Sequence, residues 1–300
     1  MIDISWTHLS MLLGVLFIYI WIQDFRKEYK SALSGKNFFA SYKFKETLYF
    51  VLLISIPILF VNYSGLDGLA YHNTTVLFIS SIVIAFSISL VWFLYLARVD
   101  HFEKEPFGLI GLVFILGSGF TFLVFPISDF IQTHFDFRLN GELWNDWWYC
   151  VFGIGMVEEL VKIIPFLIIL KFSKQVNEPF DYIFYASISA LGFAFIENIL
   201  YLNNTYLTAI YGRALFASIA HIFFSSIIAY GFVYLRYIKV NLKAFEFPIL
   251  LLIASLAHGF YDFWLINETA STFHILTTLF FLLSIYLWAM MINKTLNISP

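Results

Sequence analysis

The sequence predicts an all-α protein, a polytopic bundle of transmembrane helices, and three observations lead to that fold class. Hydrophobic residues make up 61% of the 300-residue chain and charged residues only 12%. A soluble domain carries about 25% charged residues, because its surface must be wetted. The apolar residues are also gathered into runs of about 20, the length that a helix needs to cross a bilayer. We therefore expect a single integral membrane domain over residues 1–300.

Nine apolar segments are candidates for the membrane spans. The first is the weakest, and without it the count is eight. Residues 128–147, between the fourth and fifth candidate spans, are predicted to form a loop. The tryptophans near the end of this loop are expected at the membrane interface, where Trp is enriched. In chain order the candidates are residues 6–22, 47–63, 75–97, 107–127, 148–171, 181–203, 212–236, 247–266 and 272–292.

The basic residues predict the orientation of the spans, since Lys and Arg accumulate in cytoplasmic loops. Alternating the loops from an outside N-terminus places fourteen of the 17 basic residues on one side of the membrane. The other side receives only Arg138 and Arg213, and Lys162 lies inside a span. The N-terminus is accordingly predicted outside the membrane and the C-terminus in the cytoplasm.

Charge and cysteine content exclude several classes of function. The formal net charge of -3 leaves no basic excess for a nucleic-acid partner. Cys150 is the only cysteine, so the chain has no internal disulfide and no cysteine-based metal site.

The ionisable residues that lie well inside the predicted spans, away from their ends, are confined to spans five to eight. A charge at the bilayer centre costs about 2.5–3.5 kcal/mol on insertion scales, so such groups need one another as partners. We expect them to meet in one polar cavity, which makes residues 148–266 a four-helix catalytic core and residues 1–127 an accessory region. The groups are Glu158, Glu159, Lys162, Glu197, His221, His258 and Asp262.

Depth and spacing support a shared cavity. At about 1.5 Å per residue, the carboxylates and histidines all lie roughly 6 to 15 Å below the outer membrane edge. Lys162 follows Glu158 and Glu159 by four and three residues, so it can reach either carboxylate. The i, i+4 spacing also places His258 and Asp262 on one face of their helix.

These residue types are suited to hydrolysis. A glutamate can deprotonate water as a general base, and histidines can stabilise an oxyanion or bind a metal. Glu197, His221 and His258 resemble a zinc set of two histidines and one carboxylate. Whether zinc is bound, and which of Glu158 and Glu159 is the base, are left open by the sequence.

Four short motifs on consecutive spans resemble those of the PrsW-type intramembrane proteases, a family similar to the CAAX prenyl endopeptidases and abortive-infection-type membrane proteins. Glu158-Glu159-Leu160-Val161-Lys162 matches EExxK, and Phe193 to Glu197 matches FxxxE. His221 stands alone in the next span, and His258 to Asp262 matches HxxxD.

The resemblance implies an intramembrane endopeptidase, in a bacterial or archaeal cytoplasmic membrane, that cleaves a single-pass membrane protein near its outer side. It implies an anti-sigma factor as the class of substrate. It also implies catalytic roles for the six carboxylates and histidines, with Lys162 and Phe193 in support.

Two other classes of function fit the sequence less well. A proton-coupled transporter would use the carboxylates as a relay. However, transporters usually carry such groups in both of two repeated halves, and here they lie in one half. A non-catalytic membrane scaffold would not need the full set of polar residues.

Overall fold

The computed structural model describes residues 52–99, 104–239, 246–267 and 274–298. Within these residues every regular element is helical and no strand occurs. The all-α prediction is thereby confirmed for the described chain. The predicted first span at residues 6–22 and the N-terminus lie outside the described residues.

Nine helices are described, and each overlaps a predicted span except a short one that connects two of them. The helix at residues 143–172 is continuous but contains a π-helical stretch, Tyr149–Gly155. In chain order the helices are α1 (Leu52–Tyr63), α2 (Leu66–His72), α3 (Thr74–Val99), α4 (Phe107–Phe135), α5 (residues 143–172), α6 (Pro179–Asn204), α7 (Gly212–Ile238), α8 (Glu246–Ile266) and α9 (His274–Leu296).

Six of the described helices, α3, α4, α6, α7, α8 and α9, are long and apolar enough to cross a membrane. α5 carries Glu158, Glu159 and Lys162 along its length, which lowers its apolar character. The chain is therefore an integral membrane protein. The count of nine spans and the orientation of the termini stay predictions.

The loop predicted at residues 128–147 is much shorter in the structure. α4 continues to Phe135, and α5 begins at Leu143. The polar residues Asp129, Gln132 and His134, which the sequence predicts to lie in the loop, are in the last turns of α4. Asp136, with φ 47°, then ends the helix in the left-handed conformation.

A buried carboxylate fixes the start of α5. Asp146 accepts backbone hydrogen bonds from Asn140 (2.9 Å) and Gly141, and a side-chain hydrogen bond from Asn267 (2.8 Å) at the end of α8. Burial acts to raise the pKa of Asp146, but these donors and Asn145 outweigh it and hold the pKa below its usual value. The contact ties α5 to α8.

The chain divides into two compact units. In the first, which contains α1 to α3 and residues 198–216, Trp92 donates to the carbonyl of Ala214 at 3.1 Å. Arg213 donates to Asn198 at 2.6 Å and covers the ring of Tyr201. The second unit contains residues 102–197 and 217–300.

Glycines allow close helix packing in the second unit. A Cβ added to Gly192 on α6 would lie 2.2 Å from the carbonyl oxygen of Phe114 on α4, and one on Gly117 would lie 2.3 Å from that of Ser189. Similarly, a Cβ on Gly155 of α5 would lie 2.8 Å from the carbonyl oxygen of Ser255 on α8. Glycine is needed here for the close approach, as in many membrane helix pairs.

We predict that Gly192→Ala destabilises the protein although alanine favours helix formation. The added methyl group has to push α4 and α6 apart, since it meets backbone rather than a movable side chain. We expect the temperature of thermal unfolding in detergent to fall by several degrees.

Gly111→Ala on α4 is the matched control, because nothing lies within 4 Å of the added Cβ. Equal unfolding temperatures for the Gly192→Ala protein and the control would contradict the packing of these two helices.

Candidate active site

The structure brings the predicted ionisable residues together in the second unit. α5 contributes Glu158, Glu159 and Lys162, and α6 contributes Glu197. The histidines come from α7 and α8. The π-helical stretch of α5 ends at Gly155, three residues before Glu158. Such insertions are frequent at functional sites.

The ammonium group of Lys162 lies at the centre of the cluster. Its Nζ lies 2.8 Å from Glu159 Oε1, 3.1 Å from Glu158 Oε2 and 2.8 Å from His221 Nδ1. The lysine side chain is 0% exposed, and the ring of Phe193 covers it at 4.4 Å. One buried cation therefore holds groups from two helices.

Glu159 is saturated with hydrogen bonds. Its Oε1 accepts from Lys162 and faces His258 Nδ1 at 2.9 Å, and its Oε2 accepts from Ser225 Oγ at 2.9 Å. The Glu159 side chain is 0% exposed. This carboxylate can orient its neighbours, but neither oxygen is open to a water molecule or a substrate.

Glu158 has a different environment from its neighbour in sequence. Its Oε2 contacts Lys162 and lies 3.6 Å from His258 Nε2. The side chain is 11% exposed, and those of Asp262 and Glu197 are 15% and 19% exposed. These three carboxylates form the accessible face of the cluster.

The contacts of His221 fix the position of its proton. An ammonium group only donates hydrogen bonds, so His221 Nδ1 must accept from Lys162. The ring proton then sits on Nε2, which donates to Glu197 Oε2 at 2.6 Å. His221 is thus a hydrogen-bond donor toward the accessible face.

His258 has carboxylates at both ring nitrogens. Nδ1 faces Glu159, and Nε2 lies 3.3 Å from Asp262 Oδ2. The ring stacks on Phe224, with centroids 4.7 Å apart. Because carboxylates only accept, both nitrogens donate at once only when the ring is an imidazolium.

Sequence reasoning missed two of the residues that touch the cluster. Ser225 follows His221 by four residues, so it lies on the same helix face and reaches Glu159. Phe224 packs against His258. Serine and phenylalanine are common in membrane helices, so only their spacing from His221 and their place in the bundle could have drawn attention to them.

One group of described residues could hold a metal ion. Ligand atoms of Glu158, His221 and His258 lie within 4.8 Å of one another. The set predicted from the sequence has Glu197 in place of Glu158; in the structure Glu197 binds His221 Nε2.

The donor types of this group suit zinc, but the proton positions do not. Zinc requires an unprotonated imidazole nitrogen. His221 uses its one free lone pair to accept from Lys162, whose positive charge also opposes a cation beside it. As they are arranged here, the residues do not fit a bound metal.

Comparison with known proteins assigns the chain that carries this cluster to a family. The family model described as PrsW family intramembrane metalloprotease matches residues 105–291. The chain belongs to the PrsW family. All seven ionisable residues of the cluster fall inside the matched region, and membership makes the chain a protease.

Several curated relatives carry the name Protease PrsW. The one from Oceanobacillus iheyensis is 34% identical over 184 residues, which cover 60% of this chain and 79% of the relative. The Bacillus subtilis protein is 29% identical over 199 residues, covering 66% and 88%. The Clostridioides difficile protein is 28% identical over 187 residues, covering 60% and 76%. No solved structure matches the chain.

Proposed function

We propose that this PrsW-family protease cleaves a single-pass membrane protein in the outer half of the bilayer, with a water molecule activated by Glu158. The observation that carries the proposal is the unequal environment of the two adjacent glutamates. Glu158 is buried but keeps 11% of its side chain exposed and lies beside both histidines, whereas Glu159 is 0% exposed and saturated. By family resemblance, the class of substrate is an anti-sigma factor.

The proposed reaction begins with a water molecule beside Glu158. The glutamate takes a proton from the water as the water oxygen bonds to the scissile carbonyl carbon. As negative charge develops on the carbonyl oxygen, His221 and His258 turn their Nε2–H donors from Glu197 and Asp262 to this oxygen. Glu158 then gives its proton to the amide nitrogen as the carbon–nitrogen bond breaks, which leaves a carboxylic acid and an amine; the acid then passes its proton to the amine, so the final products are a carboxylate and an ammonium group.

The remaining groups position this machinery. Glu159 holds His258 through Nδ1 and, with Lys162, keeps the Nε2 side of the ring turned toward Glu158 and Asp262. Lys162 fixes the tautomer of His221. Its charge also offsets part of the negative charge of four carboxylates in a medium where bare charges are costly.

The substrate helix has to unwind at the cleavage site. A helical backbone shields its own carbonyls, and within lipid it cannot open unless protein groups or water replace the lost hydrogen bonds. The partly exposed carboxylates Glu158, Glu197 and Asp262 supply acceptors for backbone N–H groups at that point. The proposed reaction therefore requires a membrane protein as the substrate partner, held in the lipid bilayer.

Zinc has no step in the proposed reaction, because the tautomer of His221 does not suit it. We predict that purified, active protein contains far less than one zinc ion per chain, measured by inductively coupled plasma mass spectrometry. Treatment with EDTA should leave the cleavage rate unchanged. One zinc per chain, together with loss of activity on chelation and recovery on zinc addition, would contradict this part of the mechanism.

We predict that Glu158→Gln lowers kcat at least about 100-fold, because the amide cannot accept the proton from water. The measurement is cleavage of a purified single-pass anti-sigma factor, reconstituted with the protease in liposomes. Mass spectrometry of the fragments locates the cleaved bond.

Glu142→Gln is the matched control, since Glu142 is an exposed glutamate just before α5. It should cleave at the wild-type rate. Undiminished cleavage by the Glu158→Gln protein would overturn the assignment of the base.

A further inference from the structure

We propose that Ser225 is a positioning residue for the reaction: its hydroxyl locks the Glu159 carboxylate and thereby holds His258 in its working orientation. This inference rests on the proposed function above. Ser225 lies in none of the four motifs that resemble those of the family, and it reaches the cluster from α7 through its hydrogen bond to Glu159.

The direction of the Ser225 hydroxyl is the first line of support. Serines inside helices usually donate to the backbone carbonyl four residues earlier. The neighbouring Ser226 does so, to Ile222 at 2.7 Å, as does Ser255 to Leu251. A hydroxyl has a single proton, and Ser225 gives its proton to Glu159 Oε2 at 2.9 Å instead.

The consequences for Glu159 follow from its burial. Ser225 is the donor to Oε2, which leaves Oε1 to the two other donors, Lys162 and His258. Both Ser225, at 1% exposed, and Glu159, at 0%, are closed to solvent. Without the hydroxyl, a buried carboxylate oxygen loses its donor and no water replaces it, so the carboxylate turns toward its remaining partners.

The effect passes to the reacting atoms through His258. A rotation of Glu159 moves the acceptor at Nδ1, and the opposite nitrogen, Nε2, is the one that faces Glu158 and Asp262. Ser225 itself is closed to the accessible face of the cluster. Its loss should therefore slow the chemical step and leave substrate binding unchanged.

The test compares Ser225→Ala with Ser226→Ala in the liposome assay of anti-sigma-factor cleavage. Both variants remove one buried hydroxyl from adjacent positions of α7, but only Ser225 bonds to the carboxylate cluster. We expect Ser225→Ala to lower kcat about 10- to 100-fold, the size of effect seen when a hydrogen-bonded partner that orients a metal-bound histidine is removed. KM should stay within about twofold, and Ser226→Ala should retain the wild-type kcat.

Two results would overturn the proposal. One is a Ser225→Ala enzyme with wild-type kcat. The other is an equal loss of kcat in both variants, which would show that removing any buried hydroxyl from this part of α7 slows the reaction. Glu158→Gln, measured in the same series, separates this failure from a failure of the proposed function. If Glu158→Gln is inactive while Ser225→Ala is fully active, only the role of Ser225 is wrong.

Discussion

The second unit depends on one buried ammonium group. Lys162 is closed to solvent, and it holds two carboxylates of its own helix and a histidine from α7. In hydrocarbon each of these groups alone is costly, and removal of one partner strands the others. The arrangement also fixes the tautomer of His221, because the lysine determines which ring nitrogen carries the proton. The same contacts therefore set both the stability and the protonation of the site.

Glycines bring helices of the second unit close together. α6 approaches α4 at Gly192 and Gly117, and α5 approaches α8 at Gly155. A side chain at Gly155 would widen the gap between α5 and α8, which Glu158 and His258 span at 3.6 Å. Gly155 thus supports the site although it does not react. The Asp146–Asn267 contact adds a second tie between α5 and α8.

The sequence predicted the helices and the meeting of the charged groups because both follow from the cost of polar groups in lipid. Apolar runs locate the spans, and scarce charges in consecutive spans have no partners except one another. Other features depend on details that no local pattern contains. One example is the difference in hydrogen bonding between Glu158 and Glu159. Glu159 has a donor at each carboxylate oxygen only because Ser225, a residue of another helix, donates to its Oε2. The extension of α4 to Phe135 was missed because its last turns carry polar residues.

The most direct test of this account is a double-mutant cycle on the central ion pair. Lys162→Met and Glu159→Gln should each lower the free energy of unfolding in detergent by about 3–5 kcal/mol, because each strands a buried charge. The double variant should lose much less than the sum of the two. Lys171→Met, at the exposed end of α5, serves as the control. Additive losses would show that the two groups do not depend on each other, and would contradict the central claim.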